Sequence, residues 1–153
     1  MYNRITFMIL AAIASLSAGA ASARASECDA PVAKLQIATP AASLPKPAAD
    51  FSGIWQGQWP VAAKQHLVPL CAKLYVSVTS AQTAMVEQCM GSEKEAKLKP
   101  LCKNYSAQIE GDTLSFTDLD GTVFSFTLAD VGGILAQSVS AEHRSVTNFI
   151  KAE

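Results

Sequence analysis

The sequence predicts an all-β protein, a single eight-stranded antiparallel up-and-down barrel, on three observations. Short runs of alternating apolar and polar residues follow one another from Phe51 onward. Glycine and aspartate separate the later runs, as tight hairpins require. No segment has a convincing helical period. Eight strands joined in sequence leave two exposed edges unless the first pairs with the last, so we expect a closed barrel, with an open sandwich as the alternative.

Residues 1–23 are predicted to be a cleaved signal peptide. Arg4 supplies a short positive region, Ile5 to Leu16 form an apolar stretch, and small residues follow at 21–23. Serines dilute the apolar stretch before it reaches the roughly 20 residues that a membrane span needs. We therefore expect a periplasmic or secreted protein with no membrane span.

Residues 24–50 are predicted to be an Ala- and Pro-rich arm or linker, because the segment has few large apolar side chains to offset the entropy of ordering. It should be extended, with Cys28 as its one anchor to the domain.

The β-barrel domain is predicted over 51–153. The first strand follows Ser52, and the second and third flank a short polar turn at 80–83. The fourth follows the longest loop, Gly- and Asp-containing turns separate the fourth to the seventh, and a polar turn at 141–143 separates the last two. The predicted strands are 53–59, 72–79, 84–90, 104–110, 113–117, 122–128, 134–140 and 144–151.

Alternation assigns the apolar face of each strand to the interior. The inward set is expected to be Leu74, Val76, Val78, Tyr105, Ala107, Ile109, Phe124, Phe126 and Leu128, with Trp55, Val86, Leu114, Phe116, Leu135, Val139 and Phe149. Such an interior is either a packed core or a pocket for an apolar ligand. The candidate ligand or interior residues are Trp55, Trp59, Tyr105, Phe116, Phe124 and Phe126. Tyr75 faces outward and could contact a protein.

Four cysteines in an exported chain predict two disulfides. We favour Cys89 with Cys102, which would clamp the long loop and contribute about 3 kcal/mol, and Cys28 with Cys71, which would pin the arm. Pairing of Cys71 with Cys89 is nearly as consistent with the sequence. Because the spacing lacks a metal signature, neither a metal nor a cofactor is expected.

Charge and chemistry exclude several functions. Of the 12 Lys and Arg residues, Arg4 would be lost with the signal peptide, which leaves 11 basic against 13 acidic residues and a mildly acidic protein. Because the sequence has no cluster of basic residues, nucleic acid is not an expected partner. The only histidines, His66 and His143, fall in predicted loops, so no catalytic residues are assigned and the protein is not expected to be an enzyme.

The segment Gly53-Ile54-Trp55 resembles the Gly-x-Trp opening of lipocalin-like barrels. In those barrels an arginine of the last strand covers the tryptophan at the barrel floor, and Arg144 stands at the corresponding place, so the resemblance implies a structural pair of Trp55 and Arg144. A cation–π contact of this kind contributes about 0.5–2 kcal/mol. Through 110–114 and 120–122, the chain is similar to small exported bacterial β-domains of uncharacterised function.

The expected function is therefore that of an exported, non-enzymatic barrel whose open end binds a small apolar molecule or an exported protein. The alternative is a periplasmic inhibitor or accessory module that uses the arm and nearby loops to act on an exported hydrolase or protease.

Overall fold

The computed structural model describes residues 28–130 and 132–152, so the predicted signal peptide lies outside the described residues. Eight antiparallel strands form a closed barrel in sequence order, and β1 pairs with β8. The predicted fold class is confirmed. The elements are α1 (Lys46–Phe51), β1 (Gly53–Ala63), β2 (His66–Val78), β3 (Thr83–Met90), β4 (Leu101–Glu110), β5 (Thr113–Thr117), β6 (Val123–Leu128), β7 (Gly133–Val139) and β8 (Arg144–Lys151).

The first hairpin is longer than the sequence predicts. Residues 60–71, expected as a loop, extend β1 and β2 to a turn at which Lys64 has a φ of 54°. Pro60 and Pro69 are register partners in this hairpin. Proline has no N–H to donate, and this pair occupies a position at which the hydrogen bonds between β1 and β2 need no N–H from either residue. They therefore leave the hairpin intact.

Chain direction gives the barrel two different ends. At the end where β1 begins and β8 finishes, α1 forms a floor, since Ala48 and Phe51 are buried in the barrel core. Trp55 donates its indole N–H to the Phe51 carbonyl at 2.8 Å and ties this floor to β1. The β1–β2 hairpin, the β3–β4 loop and the β5–β6 and β7–β8 turns lie at the opposite, upper end.

The inward set agrees with the prediction except on β7. Leu135 and Val139 were predicted to face inward, but they are 44% and 39% exposed. Phe126 on β6 is the register partner of Ala136, and paired residues share a face. The inward position of Phe126 therefore places Ala136 inside and Leu135 outside.

Residues 28–45 of the predicted arm contain no helix or strand, and they dock on the outer face of β2 and β3. The prediction of an extended arm is wrong at 46–50, which belong to α1. The backbone N–H groups of Lys34 and Leu35 donate to one carboxylate oxygen of Glu87 at 2.9 and 2.7 Å. Tyr75 faces outward as predicted, yet it is only 7% exposed because it packs with arm residues, including Ala30 and Leu35. Tyr75 is therefore not available for a partner.

Both favoured disulfides are present. Cys28 is bonded to Cys71, which pins the start of the arm to β2, and Cys89 is bonded to Cys102. Cys89 and Cys102 are register partners on β3 and β4, 4.0 Å apart at Cα. The alternative pairing of Cys71 with Cys89 does not occur.

Within 28–130 and 132–152, the structure has no helix whose length and apolar character would suit a membrane crossing.

Candidate ligand-binding site inside the barrel

A row of four stacked or edge-packed aromatic rings crosses the barrel interior. Trp59 on β1 contacts Phe124 on β6 with ring centroids 5.7 Å apart, and Phe124 stacks on Phe116 of β5 at 5.3 Å. Phe116 in turn stacks on Tyr105 of β4 at 4.3 Å. We call these four residues the aromatic row. It joins the β1 wall to the β4 wall through contiguous ring faces and edges.

Two further phenylalanines support the row. Phe126 lies 5.7 Å from Phe116 and 6.3 Å from Trp59, and Phe149 lies 5.6 Å from Trp59. The structure thus brings together five of the six predicted interior candidates and adds Phe149. Trp55, the sixth, lies at the floor, hydrogen-bonded to Phe51.

Three side chains on the inner wall carry buried polar atoms that have no hydrogen-bond partner among the described residues. These atoms are Trp59 Nε1, the amide Oε1 and Nε2 of Gln88, and the Tyr105 hydroxyl. Most buried polar groups in folded proteins are satisfied, and each unsatisfied group costs about 1–3 kcal/mol. Such a concentration on one inner wall therefore needs an explanation other than stability.

Gln88 was not among the sequence-predicted candidates. It lies on the inner face of β3 with Ala84 and Val86, is 1% exposed, and is the register partner of Lys103 on β4. Alternation along β3 gave the signal, because a glutamine occupies a position that shares the face of Val86.

A cleft opens in the barrel wall beside Tyr105. The pairing of β4 with β5 ends at Gln108 and Ser115, although β4 continues for seven more residues toward the upper end. Above that point the wall has a cleft of about 450 Å³, which we call the β4–β5 cleft. It is lined by Lys103, Asn104, Tyr105, Ser106, Thr117, Asp118 and Leu119.

An ion pair links the two sides of the β4–β5 cleft. Lys103 Nζ lies 2.7 Å from Asp118 Oδ2, and the backbone N–H of Leu119 donates to Asp118 Oδ1 at 2.7 Å. The Asp118 side chain is only 10% exposed. Its carboxylate therefore acts in an environment that water screens poorly.

The electrostatics of the cleft act on Tyr105. Burial is the main cause that raises the pKa of Tyr105, and the negative charge of Asp118 adds to it. A side-chain interaction of Asp118 with the hydroxyl also raises this pKa, but the two groups do not reach the geometry of a full hydrogen bond, and both Asp118 oxygens accept other bonds. Hydrogen bonds from Thr122 lower the pKa of Asp120, the second acid of this turn.

The structure does not bring Trp55 and Arg144 together. Arg144 begins β8 at the upper end, where its guanidinium donates to Gln137 at 3.2 Å. Lys151, at the end of β8, instead places its ammonium 5.1 Å from the centroid of Trp55 and donates to the Asp50 carbonyl. A lysine therefore makes the cation–π contact that was expected of the arginine.

The histidines do not assemble a site with a nucleophile. His66 forms an exposed pair with Glu95 at 3.0 Å, and the His143 ring lies 3.1 Å from the Glu142 carbonyl in an exposed turn. In the described part of the chain, Glu87, Cys89 and Cys102 place ligand atoms close together. The two sulfurs are bonded to each other and the carboxylate binds the arm, so this group does not offer a metal site.

No protein-family model and no curated protein matches the chain. Solved structures with a similar fold include a redesigned β-barrel (TM-score 0.52, 12% identity, covering 69% of this chain and 94% of that one). A de novo designed fluorescence-activating β-barrel matches with a TM-score of 0.50 at 11% identity, over 71% of this chain and all of that one. A variant of the fluorescent protein UnaG matches with a TM-score of 0.46 at 12% identity, over 68% and 97%. At such identities the likeness to the two designed barrels shows the barrel fold alone.

Proposed function

We propose that the barrel binds a small, mainly apolar, flat molecule that carries a hydrogen-bond acceptor. The observation that carries this proposal is the aromatic row with unpartnered polar atoms at both of its ends, on Trp59 and Tyr105. Ligand sites are commonly apolar and aromatic, with a small number of polar groups that fix orientation.

The donors and acceptors restrict the ligand. An indole N–H only donates, whereas a carboxamide and a phenol can both donate and accept. Trp59 therefore needs an acceptor, such as a carbonyl or an ether oxygen, and Gln88 and Tyr105 can adapt to that acceptor or to a hydroxyl. Rings of the row already stack on one another at Phe116, so a ligand has to add an offset or edge contact, which a planar apolar body makes for about 0.5–1.5 kcal/mol.

Binding without catalysis is the role that these residues support, since both histidines lie in exposed pairs or turns away from the aromatic row. The two disulfides indicate an oxidising environment. Together with the predicted signal peptide, they support our proposal that the protein works in the periplasm or after secretion. The alternative role as an inhibitor has no specific observation in its favour, because the described arm residues are bound to this barrel through Glu87 and Cys71.

A fluorescence titration tests the proposal. Prodan is an uncharged naphthalene with a ketone acceptor, and its emission moves to the blue in an apolar site. We expect a saturable blue shift with one probe bound per protein. Trp59→Phe keeps a ring in the row but removes the donor, so it should weaken binding about fivefold, as expected for one hydrogen bond of about 1 kcal/mol.

Trp55→Phe is the matched control, because Trp55 lies at the floor and its N–H is already bonded to Phe51. It should leave the prodan affinity unchanged. Absence of saturable binding, or an equal effect of the two substitutions, would contradict the proposed function.

A further inference from the structure

We propose that the β4–β5 cleft receives the polar end of the ligand and selects an uncharged end group over an anionic one. This inference rests on the proposed function and names the chemistry of its ligand. The end groups that fit are neutral carbonyl, amide or hydroxyl groups; those that it disfavours are carboxylates and other anions.

Tyr105 connects the aromatic row to the cleft. Its ring stacks on Phe116 inside the barrel, and the same residue lines the cleft with Ser106 and Asp118. A flat ligand that lies along the row therefore meets the cleft at one of its ends. There it would find the Tyr105 hydroxyl, which lacks a partner among the described residues.

The inner wall continues this polar surface from β4 to β3. Lys103 lies two residues from Tyr105 on the same face of β4, and its register partner on β3 is Gln88. The unpartnered amide of Gln88 therefore lies beside the strand that forms one side of the cleft. An amide and a phenol can satisfy a neutral carbonyl or hydroxyl with either polarity of hydrogen bond.

The far side of the cleft is held in place by its own turn. Asp118 donates its backbone N–H to the Thr122 carbonyl at 2.8 Å and accepts from the N–H of Gly121 at 3.0 Å. Thr122 also donates its backbone N–H to Asp120 at 2.9 Å. The two carboxylates of the turn are therefore fixed in place before a ligand arrives.

Charge then decides between end groups. Asp118 lines the cleft and forms the ion pair with Lys103, and Asp120, an exposed acid of the same turn outside the cleft lining, adds a second negative charge that acts on Tyr105. An anionic end group would meet a net negative site, and poor screening around Asp118 strengthens the repulsion. A neutral end group of the same shape avoids this cost.

Naphthalene carboxamide and naphthalene carboxylate form a matched pair of probes. They share the ring system and the carbonyl, and at neutral pH only the carboxylate is charged. Affinities are measured by displacement of prodan and by calorimetry. We expect the carboxamide to bind about tenfold more tightly, or better, as one unfavourable charge contact predicts.

Substitutions at the ion pair should move this preference in opposite directions. Asp118→Asn removes a negative charge yet keeps an acceptor for the Leu119 N–H, so it should raise the affinity of the carboxylate about tenfold. Lys103→Gln should lower the carboxylate affinity further. Both variants should change the carboxamide affinity less than the carboxylate affinity, because only the carboxylate carries a charge. Asp130→Asn makes the same charge change at an exposed turn of the floor end and is the control.

The outcomes are distinct. If prodan and both naphthalenes fail to bind, the proposed function fails and this inference fails with it. If they bind but the variants at Asp118 and Lys103 change both affinities equally, or no more than Asp130→Asn does, the barrel binds ligands and the cleft is not the selective subsite. Thermal denaturation of each variant confirms that it is folded at the assay temperature.

Discussion

Replacing Gln88 by methionine should stabilise the protein and weaken ligand binding at once. The Gln88 amide is 1% exposed, faces the barrel interior, and has no partner for either polar atom among the described residues. Methionine has nearly the length of glutamine and is flexible, so it fills the same space without overpacking the interior. The substitution therefore removes two unsatisfied atoms and little else.

The magnitude follows from the cost of an unsatisfied buried amide. That cost is about 1–3 kcal/mol, and methionine recovers it in the free energy of unfolding. For a domain of this size, 1 kcal/mol corresponds to roughly 4 °C in Tm, so Tm should rise by roughly 4–12 °C. The prodan affinity should fall by about threefold to tenfold, because a hydrogen bond to the ligand is lost.

Guanidinium denaturation with the disulfides intact measures the stability, and fluorescence titration measures the affinity. Gln108→Met is the control, because Gln108 is exposed on β4 and its substitution should change stability by no more than about 0.5 kcal/mol. If Gln88→Met instead lowers the free energy of unfolding by more than about 1 kcal/mol, the amide is hydrogen-bonded in the folded protein. The reasoning from its unpaired atoms is then refuted.

Three further predictions concern the pH dependence, the arm and the barrel seam. The folded state holds the Tyr105 proton more tightly than the unfolded state does, because burial and then Asp118 raise its pKa. Stability should therefore decline as pH rises through about 10, and denaturation of Tyr105→Phe across this range should show a smaller decline. Glu87→Gln removes the negative charge that accepts two arm N–H groups, so it should lower the free energy of unfolding by about 1.5–3 kcal/mol. Hydrogen exchange of the Lys34 amide should become faster, and an unchanged rate would contradict this account. Gly57→Ala should lower the free energy of unfolding by at least about 1–3 kcal/mol, because the added Cβ would collide with the Phe149 ring. Only three residue pairs join β1 to β8, so the strands cannot move apart there without losing the pairing that closes the barrel. Guanidinium denaturation measures the loss, and a neutral effect would show that the seam adapts.

Alternation predicts the strands well where the two faces of a strand differ strongly in polarity. On β6, Phe124 and Phe126 alternate with serine and threonine, so the face is determined by the sequence. On β7, consecutive apolar residues leave both faces equally apolar, and only pairing with β6 decides which one enters the core. The error at Leu135 therefore reflects an absence of local information.

The floor of the barrel shows a different limit. In a closed barrel with an even number of antiparallel strands, the start of the first strand and the end of the last lie at the same end. Strand direction alone therefore places Lys151, and not Arg144, beside Trp55. The number of strands therefore predicts Lys151 as the residue beside Trp55, whereas the family resemblance predicted Arg144.

The docked arm could not be predicted from composition, because few large apolar side chains are involved. A buried carboxylate, a disulfide and a short apolar contact in which Leu35 and Ile37 are the large arm side chains hold it against β2 and β3. Glu87 occupies an outward position on its strand, where a glutamate normally faces water. Its role depends on a segment more than fifty residues earlier in the chain, and no local pattern reports that contact.

The candidate site is where sequence patterns predict the structure least well. Trp59, Gln88 and Tyr105 come from three different strands, so no sequence window shows that their polar atoms share one interior. Phenylalanine or methionine would satisfy the interior better at each position, and selection for stability alone would favour those replacements. Local rules are broken in natural proteins chiefly where function requires it. Three such exceptions inside one barrel, two of them at the ends of the aromatic row, are therefore better explained by a bound partner molecule than by three independent failures of packing.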